Sequence, residues 1–301
     1  MREIRERGLP APGREEIFLD SLSDAEPCFI GGNTSCVEVD AAGQMIIFDA
    51  GSGIRPLGEA LMRGSCGLGR GRVKLFLSHT HWDHIQGLPY FAPLYKSGNV
   101  VEIFSNFTDI RERLSIQQRV EFFPIPLSGL EASVSFHTLT IGDVLDFESN
   151  SGRFPAVRVR TFGLDHPGGG CAYRLEADGA SLIYAADGTY GEARPAERER
   201  FLRFFRGCDL LIFDSSYSYQ EAQARLHWGH ASGVAGVDIA LQSEVKKLIL
   251  FHHGSDYTDR QLQAIYKEAL NYQLKKGDGA DLKILLAREG MTLEVGGAQV
   301  V

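Results

Sequence analysis

The chain has 301 residues, 44% hydrophobic and 23% charged, the composition of an ordinary globular protein long enough to bury a sizeable core. Its formal net charge of −8 disfavours a surface that grips long nucleic acid by phosphate neutralisation, and no apolar run approaches the roughly 18 residues of a membrane span. Five cysteines (Cys28, Cys36, Cys66, Cys171 and Cys208), odd in number and without CxxC spacing, argue against both a disulfide framework and a thiolate zinc site.

The N-terminus is charged, with no apolar signal region behind it, so a reducing, cytoplasmic setting is expected. Residues 30–50 have the look of hairpin strands. Apolar, β-branched runs then predict strands at Met45–Phe48, Val73–Leu77, Val100–Phe104, Val134–Leu139, Val157–Phe162, Ser181–Tyr184, Leu210–Phe213, Leu248–Phe251 and Ile284–Leu286. Helices are expected over Glu192–Phe205, over Ser232–Leu241 with Ser232 as cap, and from Thr258. In the last, Thr258 and Gln261 have capping-box spacing, Leu262, Ile265, Tyr266, Ala269 and Leu270 form one stripe, and Lys275-Lys276-Gly277 stops the helix. No repeat or linker interrupts this order, which predicts one α/β domain over residues 1–301 with mixed rather than purely parallel sheets.

The densest chemical signal is His79-Thr80-His81-Trp82-Asp83-His84, which holds three of the nine histidines. It follows directly on the predicted strand ending at Leu77. His79 and His81, two apart at a strand end, can point the same way, while Asp83 and His84 turn with the chain as it leaves the sheet. One short segment can thus offer two ligands to each of two neighbouring cations. Imidazole and carboxylate together suit zinc, manganese or iron.

This motif resembles the HxHxDH signature of the metallo-β-lactamase superfamily, whose fold is an αββα sandwich with a dinuclear metal site at its edge. The resemblance extends from Gly31-Gly32-Asn33-Thr34-Ser35-Cys36 to His252 and is nearest to the ribonuclease Z and phosphodiesterase-like branch. It implies that His166 completes one set with His79 and His81. Asp187 would bridge both ions, and His252, rather than its neighbour His253, would serve the second ion with Asp83 and His84. Asp49 matches an aspartate that supports the metal-binding loop and fixes imidazole orientation. Asp214 and Trp228-Gly229-His230-Ala231-Ser232 resemble the acidic residue and the His-x-Ser/Thr element of ribonuclease Z. Asp214 would then orient His230 and keep it protonated for donation to a leaving oxygen. The alternative reading of His230 is a helix-start histidine packed near Trp228, while His137 and His227 match nothing.

The chain departs from ribonuclease Z in lacking a long Gly/Pro-rich arm for transfer RNA, which weighs against a tRNA-processing role. Arg7–Gly13 resembles a variant of the GTRGS-type start of relatives, which implies an altered first strand. Asp109–Leu130, with Phe122-Phe123-Pro124-Ile125-Pro126, reads as a lid or wall over the metal site, or as a packed excursion of the core. Gly31-Gly32 and Gly168-Gly169-Gly170 fit tight turns as well as backbone cradles for phosphate.

The expected activity is hydrolysis of a small phosphodiester by a hydroxide shared between two divalent ions, Zn²⁺ ahead of Mn²⁺ or Fe, with Asp83, His230 and Asp214 as the catalytic candidates. A lactonase or thioesterase acting on a carbonyl ester would use the same ions, and a non-catalytic metal-binding protein is the reading from another class. A diiron oxygen-reducing role is disfavoured by His81, where such relatives carry an acidic residue. Expected partners are a small phosphodiester or ester, without long nucleic acid or membrane; homodimer formation is left open.

Overall fold

The structure, a computed structural model, describes residues 30–148, 156–190, 195–276, 281–296 and 298–300. Cys28 and the altered start at Arg7–Gly13 lie outside the described residues.

The first half of the chain builds β1 (Val37–Ala41), β2 (Gln44–Phe48), α1 (Ile54–Leu61), β3 (Arg72–Leu77), α2 (Trp82–Ile85), β4 (Val100–Ser105), α3 (Ile110–Gln117) and β5 (Ser133–Thr138). The second half adds β6 (Val144–Phe147), β7 (Val157–Leu164), β8 (Gly170–Ala177), β9 (Ala180–Ala185), α4 (Pro195–Phe205), β10 (Leu210–Asp214), α5 (Tyr219–Ala224), α6 (Gly233–Gln242), β11 (Lys247–Phe251), α7 (Asp259–Lys276), β12 (Lys283–Leu286), β13 (Leu293–Val295) and β14 (Ala298–Val300). Every predicted strand and helix has its counterpart, and β1 pairs antiparallel with β2 as the expected hairpin.

The strands form two mixed sheets, in the orders β13-β14-β1-β2-β3-β4-β5 and β12-β11-β10-β9-β8-β7-β6. In each, a parallel stretch joins an antiparallel one: β2 to β5 run parallel in the first, β9 to β12 in the second. Successive side chains of a strand face opposite ways, and this alternation sorts the apolar residues into three cores. Ile46, Phe48, Phe76, Tyr184, Leu210, Ile212 and Ile249 fill the space between the sheets. Ile47, Val73, Leu75 and Leu77 face outward from the first sheet onto Ile54 of α1 and onto Ile110 and Leu114 of α3. Ile183, Leu211, Phe213, Leu248 and Leu250 face outward from the second sheet onto Phe205, Val237 and Ile265 of α4, α6 and α7. The result is a four-layer αββα sandwich.

The caps read from sequence are realised. Ser232 accepts from Ala235 N at 3.2 Å, and Thr258 N donates to Gln261 Oε1 at 3.0 Å while Gln261 N reaches back to Thr258 Oγ1 at 3.4 Å. The parallel strands β2, β3, β9, β10 and β11 all run toward one edge of the sandwich, so the segments that leave their C-terminal ends converge there. That crevice is where parallel α/β sheets place their chemistry.

Candidate metal centre

Asp49 leaves β2, His79 to His84 leave β3, Asp187 leaves β9, Asp214 ends β10, His252 leaves β11, and His166 sits in the turn between β7 and β8. Two groups of ligand atoms form there, each with all members within 4.8 Å of one another: His79, His81, His166 and Asp187, and Asp83, His84, Asp187 and His252. Asp187, almost wholly buried, belongs to both. A third group joins Asp187 and His252 to Asp214 and His230. The structure therefore gathers in one place all seven residues that the resemblance implied, and it brings the candidate acid pair beside them.

The rings are held so that their unshared pairs face inward. His84 Nδ1 lies 2.7 Å from Asp49 Oδ2, His166 Nδ1 is 2.8 Å from Gly229 O, and His252 Nδ1 is 2.9 Å from Ser216 Oγ. Each outward partner takes the ring's single N–H, a tautomer assigned from the hydrogen-bond network, and leaves Nε2 as an acceptor. Those acceptors meet one another: His84 Nε2 is 2.9 Å from His252 Nε2, and His166 Nε2 is 3.0 Å from His81 Nδ1. Buried His79 Nε2 and Asp187 Oδ1 make no hydrogen bond at all. Crowded lone pairs and carboxylates with no protons to share are costly unless cations sit between them, so the donor set fits divalent metal.

The electrostatics agree. Burial opposes charging His252, but Asp187 and Asp83 overcome it and raise this ring to about 9. His84 is raised in the same way by Asp187 and Asp49 against its own burial. Burial, with His84 beside it, lowers His79 to about 2. Asp187 and Asp83 stay below the usual carboxylate range because the facing His252 and His84 outweigh burial. The carboxylates thus call for positive charge at nitrogens that are already crowded.

Asp49 organises this arrangement from beneath. Fully buried, it accepts from Ser78 N, Ser78 Oγ and Tyr184 OH at 2.7 Å each, in addition to facing His84. Gly51, two residues on, has no room for a side chain: a Cβ there would strike Asp83 O and Thr34 Oγ1. Gly229 holds φ at +78°, and a Cβ on it would lie 2.5 Å from His166 Nδ1. His252 takes φ +57°, an uncommon conformation for a residue with a Cβ, and this aims its ring into the cluster. His253 instead faces Ala287 O at 3.2 Å, away from it.

His230 Nδ1 is 3.0 Å from Asp214 Oδ2 and 3.9 Å from Asp187 Oδ2. Asp214 is fully buried and tied by Ser216 N at 3.0 Å and Ala231 N at 3.3 Å, whereas the His230 side chain keeps 18% of its surface exposed. Burial would lower the His230 pKa, but the hydrogen bond and charge of Asp214 prevail and raise it.

The remaining expectations divide. His137 stacks on Phe104 and His227 is exposed, both outside these groups. Within Asp109–Leu130, α3 buries Ile110 and Leu114, while Phe122 is 71% exposed, so the segment is in part core and in part surface. Its Arg113 donates to Thr80 Oγ1 at 2.9 Å, which makes α3 a wall beside His79 and His81. Gly168 and Gly169 both have positive φ, in keeping with a tight turn. Ser78, Tyr184 and Ser216 were missed by sequence reasoning. Ser78 adjoins the histidine motif and could have been suspected; the others act across the fold and leave no local signal.

Comparison with known proteins agrees with this geometry. The sequence model described as Beta-lactamase superfamily domain matches residues 44–253. A protein of Natronomonas pharaonis named ribonuclease Z is 26% identical over 263 residues, covering 75% of this chain and 82% of that protein. Among solved structures, the short form of human tRNase Z superposes with TM-score 0.60 at 17% identity, over 89% of this chain and 95% of that one. Unliganded yeast PDE1 does so with TM-score 0.63 at 15% identity, over 89% and 94%. With two mixed sheets between helical layers and a family match across both of them, the chain belongs to the metallo-β-lactamase superfamily of hydrolases.

Proposed function

We propose that this protein is a phosphodiesterase that hydrolyses a small phosphodiester with two divalent ions. His79, His81, His166 and Asp187 would hold one ion, and Asp83, His84, Asp187 and His252 the other. The observation that carries the reading is the set of imidazoles whose N–H groups are spent outward while their lone pairs face Asp187 and Asp83. Zn²⁺ suits such a nitrogen and oxygen set best, with Mn²⁺ or Fe as alternatives. Two such ions would supply a nucleophilic oxygen at neutral pH and offset charge on the phosphoryl group.

The chain's own residues do the rest. Asp187 bears on both ligand groups, and Asp83 lies 41% exposed at their open side, where it can take up the proton released by the attacking water. His230 directs Nδ1–H to Asp214, which leaves Nε2 to give its proton to the departing alcohol. Asp214 stabilises the imidazolium from which that proton leaves. Asp49 keeps His84 in one tautomer and orientation. The 301 residues are taken to act as one domain.

A second reading is RNA cleavage, favoured by relatives that carry the name ribonuclease Z. The net charge of −8 supports the smaller substrate. Among the described residues no helix is long and apolar enough to cross a membrane. The test is a panel of bis(p-nitrophenyl) phosphate, a short RNA, a lactone and a thioester, run with and without EDTA on protein of measured metal content. EDTA-sensitive turnover of the small phosphodiester ahead of the others is expected. Turnover of the lactone or thioester alone would assign a carbonyl ester hydrolase, and inactivity of metal-loaded protein on every substrate would leave a non-catalytic metal-binding protein.

A further inference from the structure

A row of rings runs outward from the candidate metal centre. His252 stacks on His84 with centroids 5.0 Å apart, and His230 stacks on His252 at 5.3 Å. Tyr217 meets His230 edge-on at 5.7 Å. Beyond it the Arg225 guanidinium lies 4.7 Å above the Tyr217 ring and 5.5 Å from the Trp228 ring. None of these three residues has a part in the reaction derived above.

Their local structure holds them in place. Arg225 caps α5, with its N–H on Ala222 O at 3.2 Å, and its carbonyl accepts from Trp228 N at 2.9 Å. Trp228 is followed by Gly229, whose carbonyl pins His166. Arg225 and Trp228 are therefore joined through one tight turn to a candidate metal ligand.

The chemistry of the three is specific. Stacking engages the face of a guanidinium and leaves its in-plane N–H edge able to grip an anion. Among the described residues no carboxylate oxygen comes within 4.0 Å of the Arg225 guanidinium. Trp228 exposes 53% of its surface beside it, a large flat face open to a planar ring. In a chain of net charge −8, a half-buried arginine whose acidic neighbour Glu221 is already held by Ser218 and Tyr257 attracts an anion against the general field.

We propose that Arg225, Tyr217 and Trp228 form a subsite for the leaving arm of the substrate, and that this arm combines a planar aromatic group with a second negative charge, as a nucleoside monophosphate does. The inference rests on the phosphodiesterase reading, with His230 marking the side from which the alcohol departs. Trp228 stacks on the aromatic group and Arg225 binds the second anion.

The test compares kcat/KM of the metal-loaded enzyme for the dinucleotide ApA with that for pApA and ApAp, which add a terminal phosphate at one end or the other. One phosphorylated isomer is expected to be preferred over ApA by about tenfold or more, and Arg225→Ala should collapse that ratio while Arg225→Lys retains part of it. A ratio near one in the parent enzyme, or a ratio untouched by Arg225→Ala, overturns the proposal. Titration calorimetry with AMP, adenosine and inorganic phosphate gives a second readout. The affinity advantage of AMP over adenosine should fall about tenfold in Arg225→Ala. If no phosphodiester is turned over, the phosphodiesterase reading fails. The calorimetry then decides the subsite separately, and an unchanged AMP advantage rejects it.

Discussion

An imidazole serves as a general acid at neutral pH when a neighbour keeps its proton on and substrate can still reach it. His230 meets both conditions: buried Asp214 lies 3.0 Å from Nδ1, and the ring edge stays partly exposed. His230→Ala should lower turnover of a phosphodiester with an alkoxide leaving group by ~10². It should cost much less for a p-nitrophenyl ester, whose leaving group departs without a proton. Steady-state rates against leaving-group pKa check this, and an equal loss across the series would take His230 out of proton transfer. Asp83 and His84 were legible in the sequence because they lie within one six-residue motif. Ser216, which faces Asp214 Oδ1 at 2.6 Å and His252 Nδ1 at 2.9 Å, was not. A serine carries no sign of what stands opposite it until two distant strands are aligned.

Most segments that contribute to the site leave strands buried on both faces, as β9 and β10 are, and the turns between elements are stitched by polar side chains. Asn99, fully buried just before β4, shows how. Its Oδ1 accepts from Gly71 N at 2.8 Å, and its Nδ2 donates to Cys66 O at 3.1 Å and Pro93 O at 3.0 Å. Asn99→Ala leaves Gly71 N without a partner, while Cys66 O keeps Gly69 N at 3.1 Å and Pro93 O keeps Lys96 N at 3.4 Å, and should reduce unfolding free energy by about 1–3 kcal/mol. Urea denaturation measures it, and a loss below about 0.5 kcal/mol would mean that water replaces the amide. Strands such as β10 and β11 could be read because an uninterrupted apolar run of four residues has few other uses. β8 escaped notice because it opens with Gly170 and carries Arg174 and Glu176, which form a salt bridge with each other at 3.0 Å. The short β6, β13 and β14 offer too few residues for any period to emerge. α3, with few apolar positions on its buried side, gives a weak helical stripe.

Across the molecule, the cores between and outside the sheets isolate chemistry that would otherwise be reactive. Burial pushes the thiols of Cys171 and Cys208 up to about 12. A raised pKa keeps each thiol almost wholly protonated even at pH 9, and the thiolate is the form that alkylates, so native-state labelling by iodoacetamide should stay negligible from pH 7 to pH 9. Both should react only after global unfolding, as peptide mass spectrometry before and after denaturant would report. Rapid labelling of either in native buffer would contradict the packing. The order of the longer strands and helices and the histidine motif were written in the linear chain, since hydrophobic period and ligand spacing are local properties. Which nitrogen of each ring faces inward, the left-handed backbone that turns His252 toward Asp187, and the placement of Arg225 against Tyr217 at the end of the row of rings were not. Those follow from β-strands far apart in sequence ending at one sheet edge, a juxtaposition that no window of neighbouring residues contains.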